Sequence, residues 1–303
     1  MAERTLSSSP VMPVLFARAG AAMIPGASRL PFVSGGGREI PDLTLRLNDV
    51  AVDAGRLASY NDVCGFADSG DTLPATYPHM LAFPLHLALM TDSSFPFGAI
   101  GLVHIVNRIV QHRPIETGER MSFRVWATPL EPHPRGRQFS IRTEARVGDE
   151  LVWEEVSTNL RRGRSNGGGG AGGPSGGPAS EPIEVPSASD LPAAGEWELP
   201  GDLGRRYGSV SGDLNPIHVH PLTARLFGFP SAIAHGMWTK ARCVAALADR
   251  LPEAFTVDVA FRKPILLPAT VTFAASDGST PRFGVRGTGE KATPHLDGVV
   301  TGR

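Results

Sequence analysis

The feature that most constrains this chain is a glycine tract, GGGGAGGPSGG at 167–177, which holds eight of its 35 glycines. The stretch from Asn166 to Pro182 around it has no hydrophobic periodicity. Gly, Ser and Pro cannot bury enough surface there to offset the entropy of ordering the backbone, so the tract reads as a flexible linker. A chain of 303 residues is also too long for one comfortable core. The linker therefore divides it into an N-terminal domain over 1–165, a Gly/Pro/Ser-rich linker over 166–195 and a second domain over 196–303. The 41% apolar content excludes a mainly disordered chain, and the lack of a Gly-X-Y period excludes collagen.

Charge and cysteine narrow the function classes. Lys plus Arg number 29 against 30 Asp plus Glu, a net charge of −1. No basic field covers the chain, which argues against nucleic acid as its partner. Arg161, Arg162 and Arg164 at the edge of the linker read as a solvated domain end. Cys64 and Cys243 fit neither a CxxC redox motif nor a zinc knuckle, and both sit among apolar neighbours as small core residues, consistent with a reducing cytoplasm. No apolar run is long enough to span a membrane. The apolar segment Pro10–Ile24 is broken by Arg18, lacks a clear cleavage site and reads as an N-terminal extension.

The two sides of the linker resemble each other. RPIETGERMSF at 113–123 matches KPILLPATVTF at 263–273. Upstream, Leu73–Met90 parallels Phe229–Leu247: each has a Pro, small residues, a His and then an apolar stretch of helical length. Tyr60 and Tyr207 precede the two patterns. The matches keep their order at offsets of 150, 156 and 147 residues, as an internal duplication would.

Each half reads as loop, helix, then strands. Met237, Ala241, Val244, Ala245 and Ala248 fall on one face of a helix over Ala234–Leu251. Phe255, Val257, Val259 and Phe261 alternate as in a half-buried strand, and Thr270–Ala275 reads as the next. In the first half, Tyr77–Leu89 reads as a buried helix bent or broken at Pro84. Leu102–Val110 and Glu119–Thr128 read as strands, and Arg137–Val147 with Glu150–Leu160 as a hairpin around Gly148-Asp149. A helix followed by consecutive strands gives an α+β class, an antiparallel sheet wrapped on a helix.

The densest polar segment is Tyr207–His220, YGSVSGDLNPIHVH, read as a turn-rich loop because of Gly208, Gly212 and Pro216. Asp213 and His218 lie five positions apart across an Asn-Pro turn and are placed to converge on one small cavity. An imidazole can give or accept a proton near neutrality, the carboxylate can share that work or hold a water, and Asn215 can orient water or loop. A capped turn with exposed histidines is the competing structural reading. His218-x-His220 with Asp213 as a metal site lacks a third strong ligand nearby. Ser209 and Ser211 lack the GxSxG elbow of a serine hydrolase.

Tyr207–His218 closely resembles the signature of the MaoC-like dehydratases, the (R)-specific enoyl-CoA hydratase 2 family. That signature is an aromatic residue, a short gap, Ser/Thr-Gly-Asp, one residue, Asn-Pro, an aliphatic residue and His. Ala234-His235-Gly236-Met237 and Lys263-Pro264 also look like family segments, so the resemblance runs from about Tyr207 to Phe273. It implies an α+β double hotdog, two long central helices each wrapped by a curved antiparallel sheet, with catalysis in the second half. In the first half Ser69-Gly70-Asp71 is followed by Leu73 and Thr76 where the signature has Asn and His, so that half is expected to be degenerate and non-catalytic. Its apolar runs Leu81–Met90 and Phe95–Ile100 are placed either to line an acyl tunnel or to fill its own core.

The implied reaction is reversible syn hydration of a trans-2-enoyl-CoA to the (3R)-hydroxyacyl-CoA, or the reverse dehydration. Asp213 and His218 would be catalytic through one bound water, Asn215 would position water or substrate, and the Gly236 backbone N–H at a helix N-terminus would serve as oxyanion donor. No metal or cofactor is implied. The expected partner is an acyl-CoA or acyl-carrier-protein thioester, with a homodimer left open. Dehydration of hydroxyacyl groups on acyl carrier protein, a non-catalytic thioester binder and a thioesterase are the alternatives. Deleting Gly167–Gly177 is expected to move the thermal unfolding midpoint by less than about 2–4 °C. A larger drop in a melting curve would mean the tract is packed.

Overall fold

Alternating apolar side chains build most of this molecule. The computed structural model describes the chain apart from residues 1, 25, 28–32, 68–69, 164–181, 279 and 290–291. The first half runs β1 (Ala2–Leu6), α1 (Met12–Ala21), β2 (Leu43–Val50), α2 (Ala54–Cys64), α3 (Tyr77–Met90), β3 (Leu102–Gln111), β4 (Met121–Ala127), β5 (Glu131–His133), β6 (Gly136–Val147) and β7 (Glu150–Arg162). The second runs β8 (Ala193–Leu199), α4 (Leu203–Ser211), α5 (Pro216–Val219), α6 (Pro221–Leu226), α7 (Gly236–Ala246), β9 (Phe255–Phe261), β10 (Ala269–Ala275), β11 (Arg282–Gly287) and β12 (Pro294–Gly302).

The strands form one sheet in the order β1-β2-β4-β6-β7-β3-β9-β12-β11-β10-β8, with β5 paired to β6. Outward from its middle the order is the same in both directions: β3-β7-β6-β4-β2 on one side and β9-β12-β11-β10-β8 on the other. Apart from the parallel β1–β2 pair, the pairings are antiparallel. Helix α3 packs over β2, β4 and β6, and α7 over β11. The arrangement is the α+β double hotdog that the resemblance implied. Cys64 and Cys243 are free and buried. Phe139, Trp153 and Phe283 are fully buried beside the helices, each such ring contributing about 1.5–3 kcal/mol or more by leaving water.

The halves meet where β3 pairs with β9, and the register sets Arg108 opposite Asp258. The two residues are 150 apart, the offset of the 113/263 match, so they hold equivalent places in the two halves. The Arg108 guanidinium donates from Nε and Nη2 to the two Asp258 oxygens at 2.7 and 2.8 Å. A pair of first halves would set Arg against Arg here, and a pair of second halves Asp against Asp. Opposite charges at this position favour the pairing within one chain.

A second tie across the junction is buried. Lys240 of α7 is fully enclosed, and its Nζ donates to Asn107 Oδ1 at 2.5 Å, Val257 O at 3.0 Å and Asn107 O at 3.3 Å. Burial pushes Lys240 down to about 7 against the pull of Glu155 and Asp258. The helices are also cross-tied. Trp238 and Arg242 of α7 donate to Val63 O and Gly65 O at the end of α2, and Arg56 of α2 donates to Val210 O and Ser211 O at the end of α4.

Several expectations change. Tyr207–Ser211 is not loop but the end of α4, and α5 starts at Pro216. The helix survives Gly204 and Gly208 because both face a close backbone neighbour: a Cβ would lie 1.9 Å from His218 O at the first and 2.8 Å from Asp213 O at the second. Helix α3 continues through Pro84. Much of the expected linker, through residue 181, lies outside the described residues, as does Ser69. Its end is packed: Ala188 and Leu191 are buried with Ala274, and β8 begins at Ala193. The N-terminal extension contains α1, whose Leu15 and Ala19 are buried.

Reversing one charge at the seam, as Arg108→Asp, is expected to cost roughly 1–3 kcal/mol, below the fully buried case because the Arg108 side chain is 36% exposed. Combining it with Asp258→Arg should restore most of the loss. Urea unfolding checks both, and an unchanged midpoint in the single variant would show that the pair specifies nothing.

Candidate active site

The site is assembled where α4, α5 and the N-terminus of α7 converge. Gly212 ends α4 in a left-handed conformation at φ 82°, which turns the chain sharply into Asp213. Ser211 Oγ accepts from Asp213 N–H at 3.1 Å, and Asp213 Oδ1 accepts from Asn215 N–H at 3.1 Å. Asn215 Oδ1 accepts from Ile217 N–H at 3.4 Å and so caps α5, whose second residue after Pro216 is His218.

The backbone partners fix both imidazoles. His218 Nδ1 lies 2.8 Å from Ile233 O, and a carbonyl only accepts, so Nδ1 carries the hydrogen and Nε2 keeps its lone pair. His235 Nε2 lies 3.0 Å from Asp213 O and 3.7 Å from Asp213 Oδ2, so it donates to the carbonyl. The two rings stack at 3.7 Å, and Tyr207 packs on His235 with centroids 4.9 Å apart. Burial lowers the pKa of His218 against the opposing Asp213 charge. It holds His235 well below the usual imidazole value, helped by repulsion from His218.

The structure thus brings together Asp213, Asn215, His218 and Gly236, all on the wall of one cavity of about 470 Å³. Gly236 is the first residue of α7, where the helix dipole is positive. A Cβ there would meet the Phe261 ring at 3.0–3.2 Å, so a larger residue would press on that ring. His220 is not part of the group. It is exposed, and its Nδ1 caps α6 by accepting from Leu222 N–H at 3.1 Å. The third imidazole is His235, which lies in the Ala234–Met237 segment but was given no role from sequence.

The cavity continues into the first half. Phe16 and Ala19 of α1 and Met80, Phe83 and Leu87 of α3 line it there. Sequence reasoning missed the part played by α1, whose signal was the spacing of Leu15 and Ala19. In the first half Thr76 stands where the motif has His, and its Oγ1 accepts from the buried Tyr60 hydroxyl at 2.8 Å.

Two groups of described residues offer ligand atoms within 4.8 Å of one another: Asp213, His218 and His235, and the buried His79, His86 and Glu155. In the first, the backbone hydrogen bonds occupy one nitrogen of each imidazole.

Residues 199–295 match the family described as "MaoC like domain". The chain is 36% identical over 264 residues to 3-hydroxyacyl-thioester dehydratase X of Mycobacterium tuberculosis, covering 87% of this chain and 91% of the relative. This chain is a member of the MaoC-like dehydratase family. A crystal structure of the mycobacterial protein superposes with a TM-score of 0.73 at 34% identity, covering 86% of this chain and all of the other. A MaoC-like dehydratase from Phytophthora capsici shares the fold at 19% identity, with a TM-score of 0.66 over 86% of this chain and 95% of its own. A Mycobacterium tuberculosis protein described as having a double hotdog fold aligns at 13% identity, with a TM-score of 0.51 over 87% of this chain and 94% of its own. No helix among the described residues of this MaoC-like chain is long and apolar enough to cross a membrane.

The buried His86 and His235 and the half-buried His104 and His218 set an acid limit on stability. Burial brings His86 to about 4 and His104 to about 3, and lowers His218 and His235 as well. Their folded values lie below the unfolded value of about 6.5, so the unfolded chain takes up protons first as the pH falls. The thermal midpoint is therefore expected to drop continuously from pH 6.5 to pH 4. A midpoint independent of pH over that window would show that these imidazoles are not held neutral.

Proposed function

We propose that the protein is a 3-hydroxyacyl-thioester dehydratase that interconverts (3R)-hydroxyacyl and trans-2-enoyl thioesters by syn elimination or addition of water. The observation that carries this reading is the convergence of Asp213, His218 and the Gly236 N–H on one cavity that extends into the first half. The function of the mycobacterial relative supports the same class.

The chain's residues meet the three needs of the reaction. In the hydration direction, water must lose a proton as its oxygen bonds to C3. The C2–C3 π electrons move toward the carbonyl, giving an enolate whose oxygen carries the charge. C2 then takes a proton and the thioester carbonyl re-forms. His218, neutral and with a free Nε2, and Asp213 are placed to hold that water and pass the proton between them. Coupled groups share such work, so base and acid are assigned to the pair. Gly236 N–H, at the positive end of α7, suits the enolate oxygen. Asn215 fixes the loop by capping α5, which keeps Asp213 and His218 in one frame.

The lining also suits a phosphate-bearing carrier. Arg162, Arg262 and Lys263 reach the cavity wall, and Asp213 is the one carboxylate among the lining residues described. Coenzyme A is the carrier proposed, and acyl carrier protein presents the same phosphopantetheine chemistry. Assays with matched coenzyme A and carrier-protein thioesters separate the two.

Asp213→Asn and His218→Ala are each expected to lower kcat for hydration of crotonyl-CoA by about a hundredfold or more, with unchanged far-UV circular dichroism. Loss of enoyl absorbance at the wild-type rate in either variant would overturn the assignment.

A further inference from the structure

The large apolar side chains that stand exposed among the described residues are not scattered over the surface. Val11, Val14, Met23 and Ile24 lie on α1 or at its ends. Leu214 is in the turn between α4 and α5. Leu222 and Leu226 are on α6, the second of them 83% exposed, and Leu266 follows Ile265. Each of these segments also walls the cavity. Phe16 and Ala19 do so from α1, Asp213 and Asn215 on either side of Leu214, Phe227 after Leu226, and Ile265 before Leu266.

The segments join into one belt. Met12 of α1 lies against Gly212, where a Cβ would meet its Cγ at 3.4 Å. The turn after Gly212 leads into α5, and Thr223 Oγ1 of α6 donates to Pro216 O at 2.6 Å. Ile233 N–H donates to Ile217 O of α5 at 3.1 Å, and Ala234 N–H donates to Ile265 O at 2.9 Å. One continuous band of chain thus turns some side chains into the cavity and leaves aliphatic ones in water.

The belt is also basic. Residues 10–24, 212–233 and 261–267 hold Arg18, Arg225, Arg262 and Lys263 but one carboxylate, Asp213, which lines the cavity. The chain as a whole carries −1, so the excess is local. Arg262 pairs with Asp297 at 2.7 Å, and Lys263 reaches the cavity wall. Arg18 and Arg225 are exposed, with no carboxylate partner among the described residues. Val14 and Arg18 stand four apart on α1, and Leu222 and Arg225 three apart on α6, so each helix sets an aliphatic side chain and a guanidinium on the same side.

Aliphatic side chains set among basic ones suit an anionic lipid surface. None of the exposed apolar side chains is aromatic, whereas protein interfaces draw on Trp and Tyr anchors seated in pockets. A fluid bilayer surface accepts Leu and Val without a matching shape.

We propose that the outer wall of the cavity, formed by α1, the Leu214 turn, α6 and Leu266, is a docking face for an anionic lipid surface. Docking sets the cavity wall against the bilayer, where long acyl chains reside. That consequence rests on the thioester reading above, whereas vesicle binding is read without turnover.

Sedimentation with phosphatidylcholine vesicles, with and without phosphatidylglycerol, tests the face. The full chain is expected to favour the anionic vesicles by about tenfold or more, since each basic residue near such a surface is worth about a factor of five. Raising the salt should remove most of that preference. Val14→Glu combined with Leu226→Glu should cut binding by about tenfold or more, and Val14→Ser with Leu226→Ser repeats the loss if glutamate disturbs α1. Neither residue lines the cavity, so crotonyl-CoA turnover in solution should stay at the wild-type rate. Ala193→Glu, exposed on β8 outside the belt, should leave binding unchanged. No binding to anionic vesicles, undiminished binding by both double variants, or an equal loss in Ala193→Glu overturns the docking face. If the chain ignores vesicles and the double variants lose affinity for an acidic acyl carrier protein, the belt serves a protein and the lipid assignment falls. If vesicles bind as expected while no enoyl thioester reacts, the docking face stands and the dehydratase reading fails.

Discussion

The pairing of β3 with β9 is the constraint on which the rest of the structure depends. An isolated hotdog sheet would expose an unpaired row of N–H and C=O groups along that edge, open to any passing strand. Here the two edges satisfy each other, and eleven strands become one continuous path. The Arg108–Asp258 pair sits at the point where equivalent positions of the two halves meet, so it distinguishes this pairing from a like-with-like one. On the inner side, Lys240 reaches from α7 to Asn107 and fixes the second half's central helix to the first half's sheet. A helix held at both faces keeps its N-terminus, and with it Gly236, in a defined place relative to Asp213 and His218.

That fixed frame explains how polar groups survive inside it. Asp213, His218 and His235 crowd together, yet each imidazole has a backbone carbonyl to bond. Satisfying one nitrogen with a carbonyl makes each tautomer definite and leaves His218 Nε2 its lone pair, while His235 Nδ1 is buried without a partner among the described residues. Gly204 and Gly208 allow this, because only a helix face without side chains lets the Asp213 and His218 backbones lie against it. Arg56 then binds the carbonyls at the end of that helix, so the first half steadies the loop as well as the cavity.

The sequence made some of this legible. Alternation at Phe255–Phe261 and the apolar stretches at Tyr77–Met90 are local signals, and the elements stand close to where they were expected. Asp213, Asn215 and His218 were legible because a short, fixed spacing carries them. Other features depend on contacts between distant segments. Helix α4 contains two glycines and reads locally as loop; packing against the Asp213–His218 turn overrides that propensity. Helix α1 is ten residues long with two buried positions, too little pattern to predict a wall of the cavity. His235 needed the fold to bring it to Asp213, twenty-two residues away. Pro84 was expected to bend or break α3; the helix is not broken there, because a helix buried on nearly every side gains more from packing than it loses at one missing hydrogen bond.

The halves share one architecture and divide its tasks. At the position of the second half's His218, the first half has Thr76, tied to Tyr60 and without acid–base capacity near neutrality. Helix α3 is buried by its neighbours and packs against α1. The space so enclosed opens toward Asp213 and His218, because β3 and β9 are adjacent strands and the interiors of their two sheets adjoin. The polar residues that remain in the first half, His79, His86, Glu155 and Asn107, form a hydrogen-bonded group contiguous with Lys240. Through Asn107 and Lys240 this group also anchors α7, so the side chains that tie the two halves together stand beside the space the halves share.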